Sequence, residues 1–190
     1  MSIAARSPSF YLLVVVALLI VQGVALLALG RVPICECGTI RLWTGAVQSA
    51  ENSQQIFDWY SFTHVTHGVG FYLLTWLVMP RAPVGLRLAV AVGVEASWEV
   101  IENTPFIIER YRATTISLGY YGDSVINSIF DTVAMMAGFA LAYRLPIWLA
   151  IGLVIAIEGA LAYLIRDNLF LNIIMLIHPF DAIRQWQSGA

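Results

Sequence analysis

The sequence predicts an all-α fold: a polytopic membrane helix bundle of about five transmembrane helices, with a short interfacial helix near its C-terminal end. Three observations predict it. Hydrophobic residues make up 59% of the 190 positions and charged residues 12%, with a mean hydropathy of +0.79. A soluble domain carries about 25% charge, so the polar half of a water-facing surface is missing. Apolar stretches of about 20 residues recur along the chain, the length that crosses a ~30 Å hydrocarbon layer at ~1.5 Å per residue. No charge run, Ser/Pro-rich linker, low-complexity tract or internal repeat interrupts them, so residues 1–190 read as a single integral membrane domain.

The first span runs from Phe10 to about Gly30 and carries no charge. Arg6 ahead of it gives the look of a signal sequence, but the stretch exceeds the roughly 7–15 residues of an ordinary signal core, and no small-residue cleavage pattern precedes Arg31. It is expected to be an uncleaved anchor. Residues 31–57 are polar and hold both cysteines. Asp58 to Met79 forms the second span, closed by Pro80-Arg81-Ala82-Pro83. Leu88 to Ile108 forms the third despite three glutamates, Asp123 to Tyr143 the fourth, and Pro146 to Ile165 the fifth, with Glu158 inside it. The run Leu169–Ile177 is too short to cross and reads as interfacial or re-entrant, with Trp186 at headgroup level.

All ten basic residues are arginines. Either the cations are held in bidentate pairs with carboxylates, or the bias is one of codon usage. With the N-terminus cytoplasmic, Arg6, Arg81, Arg87 and Arg144 lie inside, against Arg31, Arg41, Arg110, Arg112, Arg166 and Arg184 outside. The raw count opposes that choice, yet the first helix usually dominates and both short inner loops carry unopposed arginines. The N-terminus is therefore expected in the cytoplasm. A net charge of −2 offers no basic stripe for nucleic acid, and the expected partner is membrane lipid. The oligomeric state is not legible.

Charged side chains inside a span cost roughly 2.5–3.5 kcal/mol each on insertion scales, so their placement carries information. Taking Asp58 as the outer end of span two puts His64 about 9 Å deep and His67 about 13 Å, on one face with Tyr60. Span three runs back, leaving Glu102 shallow, Glu99 about 9 Å deep and Glu95 about 15 Å, in a single i, i+4, i+7 stripe. In span four, Asp123, Asn127 and Asp131 follow one turn apart, with Asp131 about 12 Å deep. Three helices thus carry imidazoles and carboxylates to one level in the outer half of the bilayer.

Two histidines with carboxylates are the ligand set of a divalent-metal site, with His64, His67 and Glu99 as candidate ligands and a further carboxylate as general base. The His64-x-x-His67 spacing is not that of the helical zinc-protease motif. The same residues also suit a proton or ion path, or a self-satisfied polar network that fixes helix packing. As a catalytic set, His64, His67, Glu99, Glu102 and Asp131 would supply acid, base or metal ligands. Arg110 and Arg112 with Tyr121, Asp123 and Asn127 stand at the mouth as candidate substrate-binding residues, the arginines to grip an anionic headgroup or to pair with Glu109. Cys35 and Cys37 sit one residue apart, where side chains diverge in an extended segment. They can form a redox-active bond, hold a soft metal, or remain two shielded thiols. Arg166-Asp167 reads as an ion pair at a helix end, and mid-span Glu158 should face the cluster or a hydroxyl. Trp43, Trp59, Trp98 and Trp148 read as packing or belt residues. No nucleophile elbow, Walker loop, dinucleotide fingerprint or CxxC pair appears, so the soluble enzyme classes have no support.

The segments NSQQIFDWYSFTHVTHG (52–68), WEVIENTPFIIERYR (98–112), YYGDSVINSIFD (120–131) and IRDNLFLNIIMLI (165–177), with CECG (35–38), resemble the hallmark segments of a bacterial inner-membrane family, domain of unknown function 2585. More distantly, the order of an Asp/His helix, a Glu helix and a Gly-Asp/Asn/Asp helix is similar to VanZ-like membrane proteins. The resemblance implies a multi-pass protein of the bacterial inner membrane and supplies no reaction. The expected function is an enzyme acting on a lipid-linked or amphiphilic substrate. The alternatives are a proton-coupled carrier or channel, and an accessory subunit of a membrane complex.

Overall fold

A computed structural model describes residues 6–189, which form eight helices and no strand. They are α1 (Pro8–Ala28), α2 (Ser61–Val78), α3 (Val84–Glu102), α4 (Pro105–Thr114), α5 (Val125–Arg144), α6 (Ile147–Ile165), α7 (Leu169–Ile177) and α8 (Asp181–Ser188). Local chemistry sets several boundaries. The Ser7 hydroxyl accepts from Phe10 N ahead of Pro8, Ser124 accepts from Asn127 N, and Asn168 accepts from Leu171 N, each satisfying an orphan amide of a first turn. Arg166, with φ 54°, takes the left-handed conformation that ends α6.

Three helices, α1, α5 and α6, are long and apolar enough to cross a membrane. Helices α2 and α3, read from the sequence as spans two and three, have 18 and 19 residues but are less apolar. The cause is the polar content that marked them: His64 and His67 on α2, and Arg87, Glu95, Glu99 and Glu102 on α3. The expected third span to Ile108 is broken at Asn103-Thr104. Pro105, which has no amide to donate, opens α4 instead. The C-terminal region holds two short helices where one was expected, because Pro179 stands between α7 and α8.

The tightest crossing is α2 on α5. A Cβ at Gly68 would run into the Met135 carbonyl, and one at Gly138 into the Val65 carbonyl, so the two backbones touch. Small residues at such a crossing are a device of membrane helices, where close van der Waals contact replaces the hydrophobic effect. Below it, Val15, Ala91, Val92, Met135 and Phe139 form the buried apolar core joining α1, α3 and α5. The segment between α1 and α2 folds back on itself, with Thr44 N donating to Phe57 O and Phe57 N to Leu42 O. It is sewn to the start of α5: Ser124 Oγ donates to Gln54 O, Gln54 Nε2 to Gly122 O, and Asn127 Nδ2 to Gln55 O.

Candidate functional site

The α2–α5 contact and the packing of α3 beside it bring the polar faces of the three helices together. Glu95, fully buried on α3, stands between the two imidazoles. Its Oε1 lies 2.6 Å from His64 Nδ1 and 3.1 Å from His67 Nδ1, and its Oε2 is also 3.1 Å from His67 Nδ1. His64 further faces Glu99 Oε1 at 3.3 Å and, through Nε2, Asp131 Oδ2 at 3.9 Å. One carboxylate shared by two Nδ1 atoms fixes both rings and leaves their Nε2 atoms for chemistry. No hydrogen bond engages Nε2 of His67 among the described residues.

Glu99 is steadied from the other side. Ser128 Oγ donates to Glu99 Oε2 at 2.6 Å, while Gln22 Nε2 of α1 donates to Ser128 Oγ at 2.9 Å. Thr132 Oγ1 donates to Gln22 Oε1 at 2.9 Å, completing the support. Glu99 Oε1, Asn127 Oδ1 and Asp131 Oδ1 are buried oxygens with no hydrogen-bond partner.

A cavity of about 370 Å³ opens over this cluster. His64, His67, Glu95, Glu102, Asp123 and Asp131 give it a polar floor; Phe71, Val94, Trp98, Leu169, Ile173 and Leu176 give it an apolar flank. Helix α7 supplies the last three. Glu158 accepts from Phe170 N at 3.3 Å and from the Thr66 hydroxyl at 3.4 Å, fastening the start of α7 to α2 and α6. Its partners are thus a hydroxyl and an amide, the second of the two placements expected for it.

At the mouth, Asp123 accepts from Asn103 Nδ2 at 2.6 Å and from the Tyr120 hydroxyl at 3.0 Å, and its own amide donates to Asn103 Oδ1 at 2.7 Å. Burial pushes the Asp123 carboxyl above its ordinary value, against the pull of those donors. Asp58, ahead of α2, and Asp167, ahead of α7, are also pushed up by burial, each to about 6. The Tyr60 hydroxyl donates to Asp167 Oδ2 at 3.0 Å.

The remaining sequence candidates lie elsewhere. Arg110 turns to the end of α7, where its Nε donates to Leu176 O at 3.0 Å, a cation on the exposed carbonyls of a helix C-terminus. Arg112 donates to Leu118 O at 3.3 Å and stacks over Tyr121, whose carbonyl accepts from Arg31. Neither arginine lines the cavity, nor does Tyr121 or Asn127. Arg166 and Asp167 do not pair: the arginine donates to Trp186 O and the aspartate takes Gln187 Nε2. Cys35 and Cys37, expected to pair poorly, are joined in a disulfide. The segment is a turn, not extended: Gly38 N bonds Cys35 O with Gly38 at φ 74°, which brings the two Cα atoms to 5.1 Å. A bonded pair offers no thiolate to a soft metal.

Two groups of donors in the cluster can hold a cation: His64, His67 and Glu95, and separately Glu99, Glu102 and Asp123, with the ligand atoms of each group within 4.8 Å of one another. The two imidazoles thus meet Glu95, the deepest member of the glutamate stripe, more closely than the expected Glu99. Gln22 and Ser128 escaped the sequence reading altogether. Gln22 is the lone amide in an otherwise apolar span, which is the signal that would have found it.

Fold and site together define a helical membrane-type protein with a buried His/Glu centre. The chain belongs to the family described as "Protein of unknown function (DUF2585)", whose profile matches residues 26–189. It is similar to the UPF0314 protein of Brucella anthropi, 53% identical over 93% of this chain and 90% of the relative. It is also similar to the UPF0314 proteins of Paracoccus denitrificans, 52% identical over 90% and 89%, and Sphingopyxis alaskensis, 51% identical over 93% and 94%. No solved structure matches the chain.

Proposed function

We propose that the protein is a multi-pass enzyme of the bacterial inner membrane that acts on an amphiphilic, lipid-linked substrate at the His64–Glu95–His67 centre. In this reading α1, α2, α3, α5 and α6 cross the bilayer, with the N-terminus cytoplasmic and the centre in the outer half. Helices α2 and α3 cross despite their charges because those charges turn inward to one another. The observation that carries the proposal is the paired imidazoles on one buried carboxylate at the floor of a cavity whose opposite flank is apolar. Such a cavity accommodates a polar group and an alkyl chain at once.

Glu95 holds Nδ1 of both rings, so each ring presents Nε2 as the atom that takes or gives a proton, or binds a divalent metal. His67, half-buried on the cavity wall, is the general acid/base. Asp131 and His64 stand behind the reacting group, and Ser128 keeps Glu99 in place. The arginines are not part of substrate binding in this reading, because Arg110 and Arg112 are spent on backbone carbonyls. A through-membrane relay finds little support: beyond Glu95 and Asp131 the path meets Val92 and Met135 of the apolar core.

The test is a comparison of membrane lipid extracts from cells carrying the wild type, His67→Ala or Glu95→Gln in place of the native gene. Both variants should accumulate the same amphiphile as a deletion strain while the protein persists in the membrane. Variants that persist and leave the lipid profile at wild type would sink the proposal. Metal content of the purified chain then separates proton transfer from metal-assisted chemistry.

A further inference from the structure

We infer that Glu99, Glu102 and Asp123 form a second site in the same cavity, built for a hard divalent cation such as Mn²⁺ or Mg²⁺ and distinct from the imidazole pair. The inference rests on this triad's own geometry and does not depend on the amphiphile reading. The three carboxylates come from the end of α3 and the turn before α5, and their ligand atoms lie within 4.8 Å of one another. Two oxygens on opposite sides of one ion, each about 2.4 Å from it, stand about that far apart. All three donors are oxygens, the ligand type that selects Mg²⁺, Mn²⁺ or Ca²⁺ over the softer metals an imidazole pair attracts.

Two further observations point to a cation rather than to a mere acidic patch. Fully buried Glu99 keeps Oε1 without a hydrogen-bond donor; the imidazole beside it, His64 Nδ1 at 3.3 Å, lies closer to Glu95 at 2.6 Å. Groups in this setting are normally satisfied, so a missing donor or cation is expected beside them. Among the described residues no arginine lines the cavity, and the basic side chains on its wall are His64 and His67, both in contact with Glu95. The orienting contacts that ligating carboxylates receive are in place: Ser128 holds Glu99, while Asn103 and Tyr120 hold Asp123. Glu102 and Asp123 line the cavity, which gives an ion its way in.

The probe is Tb³⁺, a hard oxygen-seeking ion, followed by Mn²⁺ in competition, on the full chain in detergent. Trp98, Tyr111 and Tyr120 line the same cavity and would sensitise Tb³⁺ emission when excited. The wild type should give sensitised emission that Mn²⁺ quenches by displacement. Glu102→Gln and Asp123→Asn should each weaken Mn²⁺ binding by about tenfold or more, whereas Ser97→Ala, at an exposed position on α3, should leave it unchanged. Absence of sensitised emission from the wild type overturns the site, and this arm needs no variant to fold. Emission that persists undiminished in folded E102Q and D123N also overturns it, by placing the ion elsewhere. Because binding is read directly, its failure leaves the lipid comparison standing, and failure of the lipid comparison leaves this site standing.

Discussion

At the scale of single residues, the buried acids outside the membrane helices set a pH dependence whose sign is fixed. Asp167, raised to about 6, holds its proton more tightly folded than unfolded, where its value is near 3.8. Stability from that proton is present in full below the unfolded value and is lost as pH rises through about 6. The detergent-solubilised protein should therefore unfold at lower temperature at about pH 7 than at about pH 4, with Asp58 contributing in the same direction. Asp167→Asn should flatten the slope, since the Tyr60 hydroxyl that now donates can instead accept from the new amide. Thermal unfolding followed by circular dichroism across that range decides it, and an unchanged slope in the variant would contradict the assignment. Much of the polar centre was legible at this scale. Spacing along α2, α3 and α5 located His64, His67, Glu99 and Asp131, because helical periodicity turns sequence separation directly into face and depth. The partners chosen by each side chain were not legible. Arg110 found a helix terminus and Glu95 found both histidines through the relative placement of helices, which no single helix encodes.

At the scale of elements, the α2–α5 crossing is the joint on which the centre depends. Gly68 lies one residue beyond His67, and Gly138 two turns beyond Asp131, so a displaced crossing would move both sides of the cluster. Gly68→Ala should destabilise by about 1–3 kcal/mol through overpacking against the Met135 backbone. Gly70, two residues away on the same helix, has nothing within 4 Å of a built Cβ. Gly70→Ala should instead stabilise by about 0.5–1 kcal/mol through helix propensity. Denaturant unfolding of the two variants in one detergent checks the pair, and equal effects would show that the crossing is not tight. The sequence read the helices well where long apolar runs define them. It ran α3 through the break at Asn103-Thr104 because Pro105 is compatible with both the first turn of a new helix and a kink in an old one. The turn that joins Cys35 to Cys37 was likewise hidden, since a positive φ at Gly38 becomes visible only in three dimensions.

At the scale of the whole molecule, hydropathy alone marks three spanning helices, and the five-span arrangement depends on α2 and α3 hiding their charges in each other. Reporter fusions test this. A periplasm-active phosphatase fused after Gly30 or Thr115 should be active, and one fused after Arg81 or Leu145 inactive. Activity at Arg81 would remove α2 and α3 from the bilayer. The support of Glu99 by Gln22 has a consequence for how the chain comes into being. The amide of Gln22 is synthesised with the first helix, yet its partners Ser128 and Thr132 follow 106 and 110 residues later. Throughout that interval a group that hydrocarbon solvates poorly has no permanent companion. In a membrane the leading helix would therefore wait for α5 to arrive and receive that amide. Maturation of the chamber is timed by the arrival of α5, and a leader lacking that glutamine would insert readily but deliver Ser128 with an empty hand.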